Sequence, residues 1–215
     1  MTLDEVIARH QLRRGGAAPR TAGGVVLLIH GRGATADSML PLGGAIGNAD
    51  ISYLAPQADG NSWYPQSFMA PMEFNEPQQS RSLSRIAAII ADLIATGVAA
   101  EKLGLVGFSQ GACLAAETVL RNPRSYGFVG VLSGGAIGPP GTPRDYAGSL
   151  EGVRTFVGCS DHDAHIPLAR VKETTAVFTR MRASVTERIY PGSAHDVNND
   201  EIGHLQTGLA AMMAD

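Results

Sequence analysis

A serine set between two glycines, where an apolar run turns into a helical pattern, restricts a chain to few folds. The segment Leu105-Val106-Gly107-Phe108-Ser109-Gln110-Gly111-Ala112 has this form. The run before it reads as a buried strand, and residues 110–121 read as a helix stopped by Asn122-Pro123. So sharp a turn holds the serine in a strained backbone conformation. Gly107 and Gly111 are needed because side chains there would strike the neighbouring strand and helix. The Ser109 hydroxyl then projects above the carboxyl end of the sheet. By pattern alone Gly-x-Ser-x-Gly is also an ordinary glycine-rich turn, and it is the strand before and the helix after that make Ser109 a candidate nucleophile.

The rest of the chain suits such an elbow. Short apolar runs at 25–29, 51–55, 103–106, 128–132, 154–157 and 185–190 predict six strands, several apolar throughout, as strands covered on both faces are. Between them run helical periods. Over 77–97, Leu83, Ile86, Ile90, Leu93 and Ile94 share one face, and further helices are expected at 168–182 and 200–213. The expected fold class is α/β, a mostly parallel central sheet with helices on both faces. One such sheet with its crossovers consumes the 215 residues and leaves no segment for a separate cap domain. The expected division is one domain over 25–215 and an N-terminal extension over 1–24. Gly15-Gly16, Pro19 and Gly23-Gly24 make that extension read as neither strand nor hairpin, with a short amphipathic helix at most over 1–14.

A serine hydroxyl is a weak nucleophile and needs a base that is itself oriented by a third group. Two loops past predicted strands offer these. Gly158-Cys159-Ser160-Asp161-His162-Asp163-Ala164-His165-Ile166-Pro167 carries two aspartates, and Tyr190-Pro191-Gly192-Ser193-Ala194-His195-Asp196 carries a histidine. The order Ser, Asp, His, each just beyond a strand, matches the crevice position of ligands in open α/β sheets. His195 is therefore the candidate base. The group Asp161, His162, Asp163 and His165 lacks the helical His pair or supporting Cys/His set of a metal site, so no metal is expected.

Four motifs in this order resemble the phospholipase/carboxylesterase group of α/β hydrolases, which includes the acyl-protein thioesterases. They are Leu28-Ile29-His30-Gly31-Arg32-Gly33, the elbow Gly107-Phe108-Ser109-Gln110-Gly111-Ala112, Asp163-Ala164-His165-Ile166-Pro167, and Ala194-His195. The resemblance runs from Val25 to the C-terminus and implies the α/β-hydrolase fold. It implies a serine hydrolase of carboxylic esters, or of thioesters or lysophospholipids, acting through an acyl-enzyme with no cofactor. The family places its acid four residues before the proline, which implies Asp163, with Asp161 as the alternative. It further implies an oxyanion hole made by the backbone N-H groups of Arg32 and Gln110, with His30 structuring that loop. Family members usually carry a strand or hairpin before the first apolar run, and 1–24 departs from this.

The loop 61–74 gathers the single tryptophan, two phenylalanines and two methionines; Trp63, Tyr64 and Phe68 are the substrate-pocket candidates, as an acyl-facing wall or short lid, the alternative being plain packing over the sheet's carboxyl edge. Ser133-Gly134-Gly135, past another strand, is expected to border the same cleft. A net charge of -3 without any Lys/Arg cluster argues against nucleic acid and anionic membrane as partners, and the resemblance implies a small ester or thioester substrate. No apolar run reaches the ~18 residues of a spanning helix, so stable membrane insertion is not expected. Two cysteines, Cys113 and Cys159, both in apolar surroundings, read as reduced thiols of a cytoplasmic protein. The alternatives are another hydrolase activity on the same fold, on a lactone or a peptide, and a binding protein that keeps the fold without catalysis.

Overall fold

The computed structural model describes residues 1–214. Strands β1 (Arg13–Gly16), β2 (Gly24–Ile29), β3 (Ile51–Ala55), β4 (Leu103–Phe108), β5 (Phe128–Leu132), β6 (Arg154–Ser160) and β7 (Ser184–Tyr190) form one sheet. Their order across it is β1-β3-β2-β4-β5-β6-β7. Only β1 runs antiparallel to its neighbour; all other pairs are parallel. Parallel neighbours need crossovers, and helices supply them. The helices are α1 (Leu3–His10), α2 (Ala36–Ile46), α3 (Gln78–Ala95), α4 (Gln110–Arg121), α5 (Leu168–Arg180) and α6 (Asn199–Ala214).

The alternation of side chains along β2 shows why its sequence is apolar throughout. Val25, Leu27 and Ile29 pack with Ile86, Ile90 and Leu93 of α3, Leu114 of α4 and Phe178 of α5. Val26 and Leu28 pack on the opposite face with Met39 and Ile46 of α2 and Leu205, Leu209 and Met212 of α6. A strand covered on both faces has no position for a polar side chain. The sheet is thus an α/β sandwich of helix, sheet and helix, as expected.

Two elements depart from the sequence reading. The extension 1–24 forms a short helix, α1, within the expected 1–14, but where neither strand nor hairpin was expected it also contains β1, which pairs with β3 from Arg13 opposite Ala55 to Gly16 opposite Ser52. Its sequence, Arg-Arg-Gly-Gly, has no strand preference of its own. Pairing with the sheet edge makes it a strand. Helix α2 was not among the expected helices, and its sequence carries the helix breakers Pro41 and Gly43-Gly44. Packing explains Gly43: a Cβ there would lie 2.8 Å from the Tyr53 ring of β3, so the helix approaches the sheet where glycine stands. Thr35 and Ser38 close a capping box at its start. Among the described residues, no helix is long and apolar enough to cross a membrane.

Candidate active site

Strand β4 passes into α4 through Ser109, whose φ of 55° and ψ of -119° lie outside the conformations ordinary residues prefer. The flanking glycines are fixed by space. A Cβ at Gly107 would lie 2.3 Å from the Gly111 carbonyl oxygen, and one at Gly111 would lie 2.1 Å from the Ile29 oxygen and 2.5 Å from that of His30. These neighbours are backbone atoms and cannot rotate away. Gly111→Ala is therefore expected to destabilise the fold by at least about 1–3 kcal/mol, read as a lowered Tm; an unchanged Tm would mean that α4 can shift off β2.

The elbow presents Ser109 to two loops at the carboxyl edge of the sheet. Ser109 Oγ lies 2.9 Å from His195 Nε2, and His195 Nδ1 lies 2.6 Å from Asp163 Oδ2. A carboxylate only accepts, so Nδ1 carries the proton and donates it to Asp163, which leaves Nε2 to accept from the serine hydroxyl. The Asp163 side chain is buried. Its other oxygen, Oδ1, accepts from the backbone N-H groups of His165 and Ile166 at 2.8 and 3.1 Å. Burial pushes this carboxyl up, but the His195 hydrogen bond and those backbone donors outweigh burial and hold its pKa below the usual 3.8. Asp161 plays a different part. Its Oδ1 accepts from His162 Nδ1 at 2.6 Å and from the Gly192 N-H at 2.8 Å, which ties the two loops together at the surface. Ser160 Oγ adds a second tie, donating to the Ala194 carbonyl beside His195 at 2.7 Å.

The first loop past β2 lies against the serine. A Cβ at Gly31 would stand 3.3 Å from that of Ser109. The Gln110 N-H opens α4, where no intrahelical acceptor exists, and neither it nor the Arg32 N-H has an acceptor among the described residues. His30, fully buried, shapes this loop. The Ala58 N-H donates to its Nε2 at 3.0 Å, which makes Nδ1 the protonated nitrogen, donating to the Gly31 carbonyl at 2.7 Å. Burial lowers the His30 pKa, keeping the ring neutral as that pattern requires.

The side chains of Arg32 and Gln110 hold the aromatic loop. Arg32 donates to Ser62 Oγ at 3.2 Å and the Pro65 carbonyl at 2.7 Å, and also to the carbonyl of Gln66. Gln110 Nε2 donates to the Tyr64 carbonyl at 2.7 Å, and its Oε1 accepts from the Trp63 N-H at 2.9 Å. Phe68 is held from the other side, with its carbonyl accepting from Gly138 and its ring beneath Arg170 at 5.6 Å.

The result is a cleft of about 600 Å³ over Ser109, lined by Tyr64, Phe68, Phe108, Cys113, Ile166 and His195 among others. Two expectations about its walls change. Trp63 does not line it: the indole is buried in the core with Nε1 donating to the His30 carbonyl at 2.8 Å, so it supports the loop from below. Ser133, Gly134 and Gly135 do not line it either. Gly134 packs under α4, where a Cβ would be 2.4 Å from that of Ala112, Gly135 packs against Thr174 and Arg170 of α5, and the Ser133 N-H donates to the Gly158 carbonyl. Phe108, Cys113, Pro65 to Ser67, His165 and Ile166 line the cleft without having been singled out as its walls. Phe108 is the x of the elbow motif, and that position alone predicts a side chain beside the serine. Both cysteines are free and buried, and burial pushes the Cys113 thiol up to about 11. Among the described residues no group of three His, Cys, Asp or Glu side chains is placed to hold a metal ion.

One buried carboxyl braces the His195 loop from α6. Glu201 Oε2 accepts from the Asn198 N-H at 2.9 Å while Asn198 Oδ1 accepts from the Glu201 N-H at 3.0 Å, a capping box three residues beyond His195. Its Oε1 has no hydrogen-bond partner among the described residues and rests over Gly158, where a Cβ would approach it to 2.3 Å. Burial raises this carboxyl from 4.5 to about 7. A raised folded value means that the native state binds an extra proton between about pH 4.5 and 7, so stability falls as pH rises through that window. Glu201→Gln keeps the cap and is expected to remove this decline, gaining on the order of 2 kcal/mol at pH 8 relative to pH 5; thermal melts across pH check it.

Comparison with known proteins agrees with this architecture. A family model described as Phospholipase/Carboxylesterase matches residues 17–213. Among solved structures, a phospholipase/carboxylesterase from Dyadobacter fermentans DSM 18053 is 35% identical, with a TM-score of 0.88 over 93% of this chain and 95% of that one. Esterase PE8 (24% identity, TM-score 0.77, 93% and 97% covered) and the Bacillus cereus carboxylesterase (15%, 0.77, 98% and 100%) share the fold. No curated protein matches the sequence. On the family match across residues 17–213 and the relative that shares 35% of its sequence, the chain belongs to the phospholipase/carboxylesterase family of α/β hydrolases.

Proposed function

We propose that the protein is a serine esterase that cleaves small carboxylic esters through an acyl-enzyme intermediate, within one catalytic domain over 25–215 whose sheet edge β1 completes. The observation that carries this reading is the unbroken hydrogen-bonded line from Ser109 through His195 to the buried Asp163. Ser109 Oγ attacks the ester carbonyl as His195 Nε2 takes its proton. Asp163 holds the imidazole in the required tautomer and stabilises the imidazolium. The backbone N-H groups of Arg32 and Gln110 receive the oxyanion; loss of one such donor typically costs ~100- to 1,000-fold in rate. His195 then protonates the leaving alcohol, and water repeats the sequence to release the acid. Every group in this cycle comes from the chain, so it calls for no cofactor. Tyr64 and Phe68 supply apolar wall for the substrate.

Turnover of p-nitrophenyl esters from acetate upward, with a butyryl thioester alongside, tests the reading. Hydrolysis of the ester series is expected, with a chain-length preference that Phe68→Ala moves toward longer acyl groups. No hydrolysis of any ester would contradict it, and a rate confined to the thioester would replace it with a thioesterase.

A further inference from the structure

The cleft holds one imidazole that the serine chemistry leaves unused. His165 lies two residues past Asp163, and its backbone N-H donates to Asp163 Oδ1 at 2.8 Å. This bond anchors the turn from which its side chain leaves. The ring lines the cleft and meets the ring of His195 edge-on, with centroids 4.8 Å apart. Phe108 makes a second ring contact with His195, at 5.1 Å. His165 is exposed, and its ring nitrogens have no hydrogen-bond partner among the described residues.

Position decides which half of a substrate this ring meets. In acyl transfer His195 Nε2 hands its proton to the leaving oxygen, so the alcohol must lie beside that imidazole. A ring touching His195 in the same cleft therefore borders the alcohol and not the acyl chain. The lining contains no Asp, Glu or Lys among the described residues, and the Arg32 guanidinium is committed to Ser62, Pro65 and Gln66. A charged alcohol would find no free counter-charge there. An uncharged imidazole offers one donor and one acceptor, which is the pairing a hydroxyl needs.

We propose that His165 selects the leaving group, favouring esters whose alcohol carries a neutral hydroxyl one carbon beyond the ester-bearing carbon over esters of plain alkyl alcohols. The proposal rests on the serine esterase reading above, since that chemistry is what places the alcohol next to His195.

The matched pair is 2-hydroxyethyl butyrate and propyl butyrate, in which a hydroxyl replaces a methyl at nearly constant shape. At pH 8 the wild-type kcat/KM is expected to favour the hydroxyethyl ester at least about five-fold, the worth of one partly exposed hydrogen bond. His165→Leu should bring the ratio to about one, while His165→Asn, which still offers a donor and an acceptor, should keep most of the preference. A wild-type ratio of one overturns the proposal before any variant is made. A ratio unchanged in His165→Leu, or both esters slowed in proportion, also overturns it, the latter because the ring would then only brace His195. Failure of the underlying reading looks different: neither ester is turned over, or both are turned over by Ser109→Ala, and the proposal falls with it.

Discussion

Ser109→Ala is expected to lower kcat on p-nitrophenyl butyrate by on the order of a million-fold, leaving only the rate that binding and the oxyanion donors provide. The size of this loss follows from cooperation within the site. The histidine has no proton to remove once the hydroxyl is gone, so the contributions of His195 and Asp163 vanish with that of the serine. Alanine fits the space of serine at the elbow, and Gly107 and Gly111, which set the close approach of β4, α4 and β2, are untouched. The strained φ of 55° bears on alanine as much as on serine. Tm should therefore stay near that of the wild type, and a folded, inactive protein is the outcome to look for. A loss of only ten-fold would mean that another group attacks the ester.

Asp163→Asn is expected to reduce kcat by about 10,000-fold, while Asp161→Asn leaves it near the wild-type rate. The two aspartates are two residues apart in one loop, so the contrast tests geometry and not local charge. Asn at 163 can donate to His195 Nδ1, which turns the imidazole to the tautomer whose Nε2 carries the proton and cannot accept from Ser109. Asn at 161 still accepts from the Gly192 N-H and keeps the loops tied. A linked effect on stability has a definite sign. The folded-state pKa of Asp163 is depressed, so its carboxylate contributes stability that is present above the ordinary value of 3.8 and is lost as pH falls through the folded value. The Asn variant should be less stable at neutral pH and lose less between pH 5 and pH 2. Equal rates in the two variants would contradict the assignment of the acid.

What the sequence made legible, and what it hid, follow one physical division. Strands β2 to β6 were readable because burial on both faces demands apolar runs, the edge strand β7 because Val185 and Ile189 are less exposed than Thr186 and Arg188 between them, and the elbow because backbone contacts at Gly107 and Gly111 admit nothing but glycine. Those constraints are written in local sequence. Strand β1 was hidden because Arg13 to Gly16 owe their extended form to the neighbouring β3, and α2 because the Tyr53 ring that explains Gly43 is ten residues away. The site divides in the same way. Ser109, Asp163 and His195 stood out by motif and order, and the structure places them in one hydrogen-bonded line. The depth of Trp63 did not, since an indole in a loop can face the substrate or the core. Here a bond to the His30 carbonyl, 33 residues earlier, turns it inward. His165 was visible in the sequence as a member of an unsuited metal set and as a position of the acid motif without a role, and its contact with His195 exists only once the loops past β6 and β7 meet.

The most direct measurement is covalent labelling with a fluorophosphonate, followed by intact mass and peptide mapping. The serine becomes reactive only if His195 and the oxyanion donors act on it together, so the reagent reports the whole assembly in one step. One adduct per chain, located on Ser109 and absent from Ser109→Ala and His195→Ala, is the outcome this mechanism requires. An adduct on another residue, or labelling that persists in Ser109→Ala, would contradict it.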